Sequence, residues 1–287
     1  MKKYILILGL ILSFNASADD LPSCGTNCTY SYTQNETDQD GNITYTLTIK
    51  PIDDTKNAGI SSYSRCLGCS GDETGNFAPW RFEKVTSVVI EKGVTDIGTH
   101  AFEDMSSLIT LELPEGLKTI GGEAFNYTSL VRVDLPSSLT SIGQFSFAIA
   151  SLKEINELPE GLKVIGAYAF SNTKIKDLVI PSSVTTLSPS AFGSNEFGRN
   201  HSLIENLYCA QEIADQCEAA VQWKKDLGKT VKVTTYKKDG NKIFYKNHWY
   251  NNANDILSGD YIKKRIYTIN EANQVAGKVN SVKIRYR

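Results

Sequence analysis

Six cysteines are the residues of this chain best equipped for chemistry. Four stand early, as Cys24-x3-Cys28 and Cys66-x2-Cys69, and two stand later, at Cys209 and Cys217. An even number in an oxidising compartment makes disulfides the default. The spacing of the early four also suits a four-thiolate zinc site, although the gap between pairs is long and the thiols would have to stay reduced outside the cytoplasm. Both readings stay open for Cys24, Cys28, Cys66 and Cys69, and the sequence does not settle which of them pair. A redox role for Cys66-Leu67-Gly68-Cys69 lacks the thioredoxin-like βαβ pattern around it.

Other chemistry is sparse. The three histidines, His100, His201 and His248, fall in three different regions without metal-ligand spacing. No nucleophile elbow, phosphate loop or dinucleotide fingerprint is present. The acidic residues are scattered over loop positions and nominate no carboxylate pair for glycoside hydrolysis. The expectation is therefore a binding protein without cofactor, and no catalytic residue is assigned.

The start of the chain supports the oxidising compartment. Lys2 and Lys3 precede the apolar run Tyr4 to Phe14, and Ala16-Ser17-Ala18 offers a small-residue cleavage site. The run is shorter than the roughly 20 residues of a membrane span. Residues 1–18 are expected to be a signal peptide cleaved near Ala18, which makes the protein secreted, surface-exposed or periplasmic, with no membrane span afterwards.

What positions these residues is a repeat. Phe102, Phe125, Phe147, Phe170 and Phe192 recur at intervals of 23, 22, 23 and 22 residues, the mark of a solenoid. Each unit has an apolar triplet such as Leu108-x-x-Leu111-x-Leu113, then Pro114-Glu115-Gly116, an apolar pair Leu117 and Ile120, a glycine (Gly121) and Ala124-Phe125. One unit cannot bury its own apolar edge; its neighbours do that. Alternating apolar positions predict short parallel strands with one inward face, and the phenylalanines are expected to stack down the interior.

These units resemble the BspA-type leucine-rich repeats of bacterial surface proteins, which read much like LxxIxLPxxLxxIGxxAFxxxxS. The match runs from about Val85 to Leu207. Cys24-Gly25-Thr26-Asn27-Cys28-Thr29-Tyr30, the strand-like Ile43 to Ile49 and Ala78-Pro79-Trp80 look like the cap that precedes such repeats. Ser188 replaces the unit glycine, Ser146 replaces an alanine, and Asn156 reads as an inserted residue that bulges its coil. The resemblance implies an α/β solenoid, a leucine-rich-repeat right-handed superhelix of mostly short parallel strands. The expected organisation is a cysteine-containing cap at 19–84, repeats at 85–221 and a small basic C-terminal α+β module at 222–287. An adhesin-like role toward a host or neighbouring-cell protein also belongs to what the resemblance implies. Cys209 and Cys217 flank the last coil and are expected to pair and seal its end.

In such a stack the variable strand positions line an open face. Those taken as binding candidates are Ile109, Glu112, Val131, Arg132, Asp134, Lys153, Glu154, Lys176 and Asp177. The ladder is of mixed charge, with Ile109 and Val131 side by side and no aromatic anchor. Val179 is expected on the same face.

Charge is unevenly divided. Residues 19–221 hold 13 basic and 27 acidic residues, a net of −14, and residues 222–287 hold 15 basic and 5 acidic, a net of +10. Such asymmetry suggests modules with separate partners. The basic part reads as ββαβ: strands near Val231–Tyr236 and Lys242–Tyr245 across a hairpin turn at 238–241, a helix from the capping box at Thr268 to about Gly277, and a strand over Val279–Tyr286. Lys237, Lys238, Lys242, Trp249, Lys263, Lys264 and Arg265 interleave cations with aromatics and could grip an anionic glycan or envelope polymer. The competing reading is an ordinary aromatic core with solvated lysines. The oligomeric state is not legible.

Overall fold

Twenty-odd residues per coil leave room for two short strands and two turns, and the protein is built that way. The computed structural model describes residues 21–250, apart from 36, 38–40, 42, 65–76, 81–83, 156, 194–201, 240–241 and 246–247. The expected signal peptide, Cys66, Cys69, His201, Lys263, Lys264, Arg265 and the expected C-terminal helix and last strand lie outside the described residues.

Four strands form the cap: β1 (Ser23–Thr26), β2 (Cys28–Gln34), β3 (Tyr45–Pro51) and β4 (Ala58–Ile60). The coils then alternate between two ladders. The first carries β5 (Val85–Ile90), β7 (Thr110–Glu112), β9 (Arg132–Val133), β11 (Glu154–Ile155) and β13 (Asp177–Ile180), with strand pairing in three segments: β5 with β7, β9 with β11, and β13 with the strand that follows it. The second carries β6 (Val94–Ile97), β8 (Thr119–Ile120), β10 (Ser141–Ile142), β12 (Val164–Ile165) and β14 (Thr186–Leu187). All second-ladder strands pair in parallel, each residue opposite the one a coil earlier, as in Ser141 opposite Thr119 and Val164 opposite Ser141. The cap feeds both ladders: β3 pairs in parallel with β5, and β4 pairs in parallel with β6. Antiparallel β1–β2, β2–β3 and β1–β4 pairings join them across the end of the stack. The first coil therefore meets a lid that satisfies both rows of its strand groups.

Inside, the five phenylalanines are all buried and lie face to face. Their centroids are 5.1, 5.4, 5.9 and 6.0 Å apart, with ring planes within 14° of parallel. These spacings exceed the roughly 4.8 Å rung of a sheet, so the rings are offset, the arrangement that aromatic quadrupoles favour. Trp80 extends the column into the cap. It stacks on Phe102 at 5.4 Å, its indole N–H donates to the Ala101 carbonyl, and Tyr30 and Tyr63 meet its edges.

The unit glycine is required by contact. A Cβ on Gly143 would stand 2.6 Å from the Gly121 carbonyl carbon, and one on Gly166 would stand 2.6 Å from the Gln144 nitrogen. The corners at Gly121, Gly143 and Gly166 therefore touch backbone to backbone and leave no room for a side chain, whereas the last coil takes Ser188 at this position.

At the far end β15 (Asn206–Ala210) pairs in parallel with β13, and a helix, α1 (Ala214–Asp226), follows a single 3-10 turn. Nothing in the repeat pattern marked this helix. It buries Cys217, Ala220, Val221 and Lys224. Gln216 ends the second ladder with its side chain: its amide oxygen accepts from Leu187 N–H at 2.8 Å and its NH2 donates to Thr185 C=O. Lys224 donates to the Ile204 carbonyl. Cys209 and Cys217 form a disulfide between β15 and α1, and Cys24 and Cys28 form another in the β1–β2 turn.

The sheet continues past the point where the sequence period stops. β16 (Lys232–Asp239) pairs in parallel with β15 over five residues, then turns into an antiparallel meander with β17 (Lys242–Tyr245) and β18 (His248–Tyr250). The two strands expected near 231–236 and 242–245 are present, and Asp239 lies opposite Lys242 as a hairpin at 238–241 requires. The first of them is also a rung of the solenoid, because a parallel strand needs only backbone groups from its neighbour and not the repeat's side-chain pattern.

Two predictions follow from this packing. Phe125→Ala opens a void between two rings and is expected to cost about 3–5 kcal/mol, read as a lowered denaturation midpoint of the whole stack. Burial pushes the Tyr63 phenol up to about 12 and the Tyr236 phenol well above its usual value. Both hydroxyls donate to backbone carbonyls, of Cys24 and Ile180 respectively. Their folded pKa values exceed the unfolded one, so the folded state keeps protons that the unfolded chain releases above about pH 10. Stability is full below pH 10 and falls as pH rises toward 12. Melting curves between pH 8 and 11.5 should show that fall, and Tyr63→Phe with Tyr236→Phe should flatten it.

Candidate functional site

The outward positions of the first-ladder strands hold Thr110, Glu112, Arg132, Glu154 and Asp177, among them several of the expected binding residues. In β7 the inward Leu111 is flanked by exposed Thr110 and Glu112. One residue before β7 and β9 stand Ile109, 52% exposed, and Val131, 40% exposed. These are unusually open for β-branched side chains with a core a few ångströms away. Ile109 N–H donates to the Thr86 carbonyl and Lys153 N–H donates to the Val131 carbonyl, while no strand pairing joins β7 to β9. The two apolar side chains hold the same unit position on neighbouring coils, 22 residues apart.

Charge on the rest of the face is largely matched within it. Arg132 lies between Asp134 at 2.7 Å and Glu154 at 3.3 Å, and these carboxylates raise its pKa further. Glu154 stands opposite Arg132 in register, so the pairing is a cross-strand one. Lys176 pairs with Glu205 at 3.3 Å, and Asp177 accepts from the Asn206 amide. Glu112 and Lys153 are exposed and make no ion pair with a described residue. The face thus reads from the cap outward as an apolar pair, then a compensated strip of alternating sign.

Val179 does not belong to it. Expected outward with Lys176 and Asp177, it is 1% exposed. β13 is four residues long and in full register with β15, which sets the partly buried Tyr208 beside Val179. The strip of open positions therefore narrows at this end of the stack.

Of the basic aromatic candidates, Lys237 is exposed on β16. By register it lies opposite Phe244, Lys238 lies opposite Ile243, and Phe244 lies opposite Trp249. Lys242 opens β17. Lys237, Phe244 and Trp249 therefore share one cross-strand register row. Cys24 and Cys28, half of the four-thiolate zinc alternative, are bonded to each other.

One group of residues that could hold a metal escaped the sequence reading. His100, Glu103 and Glu123 bring a ligand atom each to within 4.8 Å of one another, with His100 Nδ1 at 2.7 Å from Glu103 Oε2. Linear spacing found no partner for His100 because Glu123 stands one coil away, 23 residues on. The signal was present in the repeat alignment: both residues hold the same unit position, two before the stacked phenylalanine.

Comparison with known proteins agrees with this architecture. A family model described as the BspA type leucine-rich repeat region matches residues 76–197 in six copies. No curated protein matches the chain. Among solved structures, a T. pallidum leucine-rich repeat protein is 21% identical, with 72% of this chain and 96% of that one covered and a TM-score of 0.40. The pneumococcal vaccine antigen PcpA is 20% identical, with 77% and 53% covered and a TM-score of 0.40. A leucine-rich repeat protein of Eubacterium ventriosum is 19% identical, with 74% and 45% covered and a TM-score of 0.36. This chain spans about half the length of the latter two. Proteins with such repeats are typically found at the bacterial surface, and no helix among the described residues is long and apolar enough to cross a membrane. Residues 76–197 are thus a run of BspA-type leucine-rich repeats.

Proposed function

We propose that this is an exported, adhesin-like protein whose first-ladder face binds a protein on a host or neighbouring cell. The observation that carries the reading is the Ile109–Val131 pair, apolar and exposed just ahead of two outward strands whose inner residues Leu111 and Val133 are buried in the core. Rigid scaffolds position binding groups at low entropic cost. The ion pairs beside it suit a rim: exposed, matched and worth little to the fold. Glu112 and Lys153 supply charges that a partner's groups can meet. Leucine-rich repeat proteins commonly bind proteins, which supports a binding role.

A second reading takes the basic strands as the active end, gripping anionic glycan or envelope polymer. It is supported by the charge asymmetry of the chain and by exposed Lys237 on a strand beside aromatic neighbours.

Ile109→Asp with Val131→Asp should leave the melting temperature within about two degrees of the parent while reducing cell adhesion or partner capture at least tenfold. Unchanged capture would remove the first reading. Salt separates the two. Retention through many lysines should fall steeply between 50 and 300 mM NaCl, because exposed charges are screened within about 10 Å at 0.1 M. Retention on the apolar pair should change little. A Lys237→Glu, Lys238→Glu chain should lose only the salt-sensitive component.

A further inference from the structure

We propose that the first-ladder face takes a short extended segment of a partner protein, in which an apolar side chain lies between a carboxylate on one side and a cationic side chain on the other. The inference rests on the reading of this face as a protein-binding surface and names what the partner must present to it.

Ile109, Val131 and Lys153 hold one unit position on three successive coils, 22 residues apart each time. Lys153 follows Val131 directly, its N–H donating to the Val131 carbonyl. Two exposed apolar side chains are thus continued, in line, by an exposed ammonium group. Glu112 stands at the other end of the pair. It lies three residues after Ile109 on the same coil, opposite Val89 in register.

The other charged candidates on the face are engaged. Arg132, the residue after Val131, is held by Asp134 and Glu154. Lys176 is held by Glu205, and Asp177 accepts from Asn206. Of the charged binding candidates, only Glu112 and Lys153 meet no partner among the described residues. They are opposite in sign, and they bracket the apolar pair.

A partner that covers Ile109 and Val131 must come over both charges. A neutral surface would strip their water without replacing it, and a like charge would be repelled. Charge complementarity therefore orders the partner: an acidic group over Lys153, an apolar side chain over the pair, a basic group over Glu112. The spacing sets how close these groups lie in the partner. Successive coils advance by 5.4 Å from Phe125 to Phe147 and by 5.9 Å from Phe147 to Phe170. Glu112 and Lys153 stand two such steps apart along the stack and three residues apart along the strand. About four to five residues of extended chain, at roughly 3.3 Å each, cover that diagonal. One continuous segment therefore reaches all three points.

The test pans random dodecapeptides displayed on phage against the full chain. The recovered peptides should carry an apolar residue with an acidic residue to one side and a basic residue to the other, within about six positions. Lys153→Glu should select peptides with basic residues on both sides, and Glu112→Lys peptides with acidic residues on both sides. A synthetic peptide chosen on the parent should bind Lys153→Glu at least fivefold more weakly, and should regain affinity when its own acidic residue is replaced by lysine. Melting curves verify that each variant folds. Peptides without this charge order, peptides indifferent to both reversals, peptides that bind an Ile109→Asp, Val131→Asp chain equally well, or no enriched peptide at all would each overturn the proposal. If cell capture still requires Ile109 and Val131 in any of those cases, the face remains adhesive and only the partner's chemistry has been misassigned.

Discussion

Everything in this protein depends on the closeness of one coil's backbone to the next. At the unit glycines a single added carbon would lie about 2.6 Å from the preceding coil's main chain. That contact sets the rung, the rung sets the ring-to-ring distance in the aromatic column, and the column fills the interior that short strands leave. The strands themselves are two to six residues long in the repeats. Isolated, none would persist; stacked, each finishes its neighbour's hydrogen bonds and buries its apolar edge.

A stack of this kind has two open ends, and both are closed by different physics. At the cap, strands β3 and β4 supply main-chain partners for the first coil, and Trp80 supplies a ring for the first phenylalanine. At the other end the two ladders part company. The second is stopped by a side-chain amide from α1, which imitates one strand's donor and acceptor. The first runs on through β15 and β16 before turning antiparallel. The disulfide between Cys209 and Cys217 holds the helix against the strand that makes this division possible.

The same regularity explains the binding face. Positions one coil apart are neighbours whatever their sequence distance, so the apolar pair Ile109 and Val131 and the ion pair Arg132–Glu154 arise from residues 22 apart. Charges there are matched mainly across strands, so the outer surface is neither strongly acidic nor strongly basic at the positions examined by the ladder.

Periodicity alone was enough to read the solenoid and the interior phenylalanines, because each is a local pattern repeated until chance is excluded; the unit glycines lie outside the left-handed region and are fixed instead by backbone contact. The pairing of Cys209 with Cys217 was legible for the same reason: both flank the last coil. Four things were not. α1 lacks the repeat's signature and is held by burial and by contacts with the sheet end. β16 joins the solenoid through backbone groups, which leave no mark in side-chain type. The inward turn of Val179 and the meeting of His100 with Glu123 and Asn126 depend on which rung lies beside which. The order of residues along the chain determined what each coil must look like; only the stacked fold decided what stands next to what, because that proximity is made by hydrogen bonds between coils and not by distance in sequence.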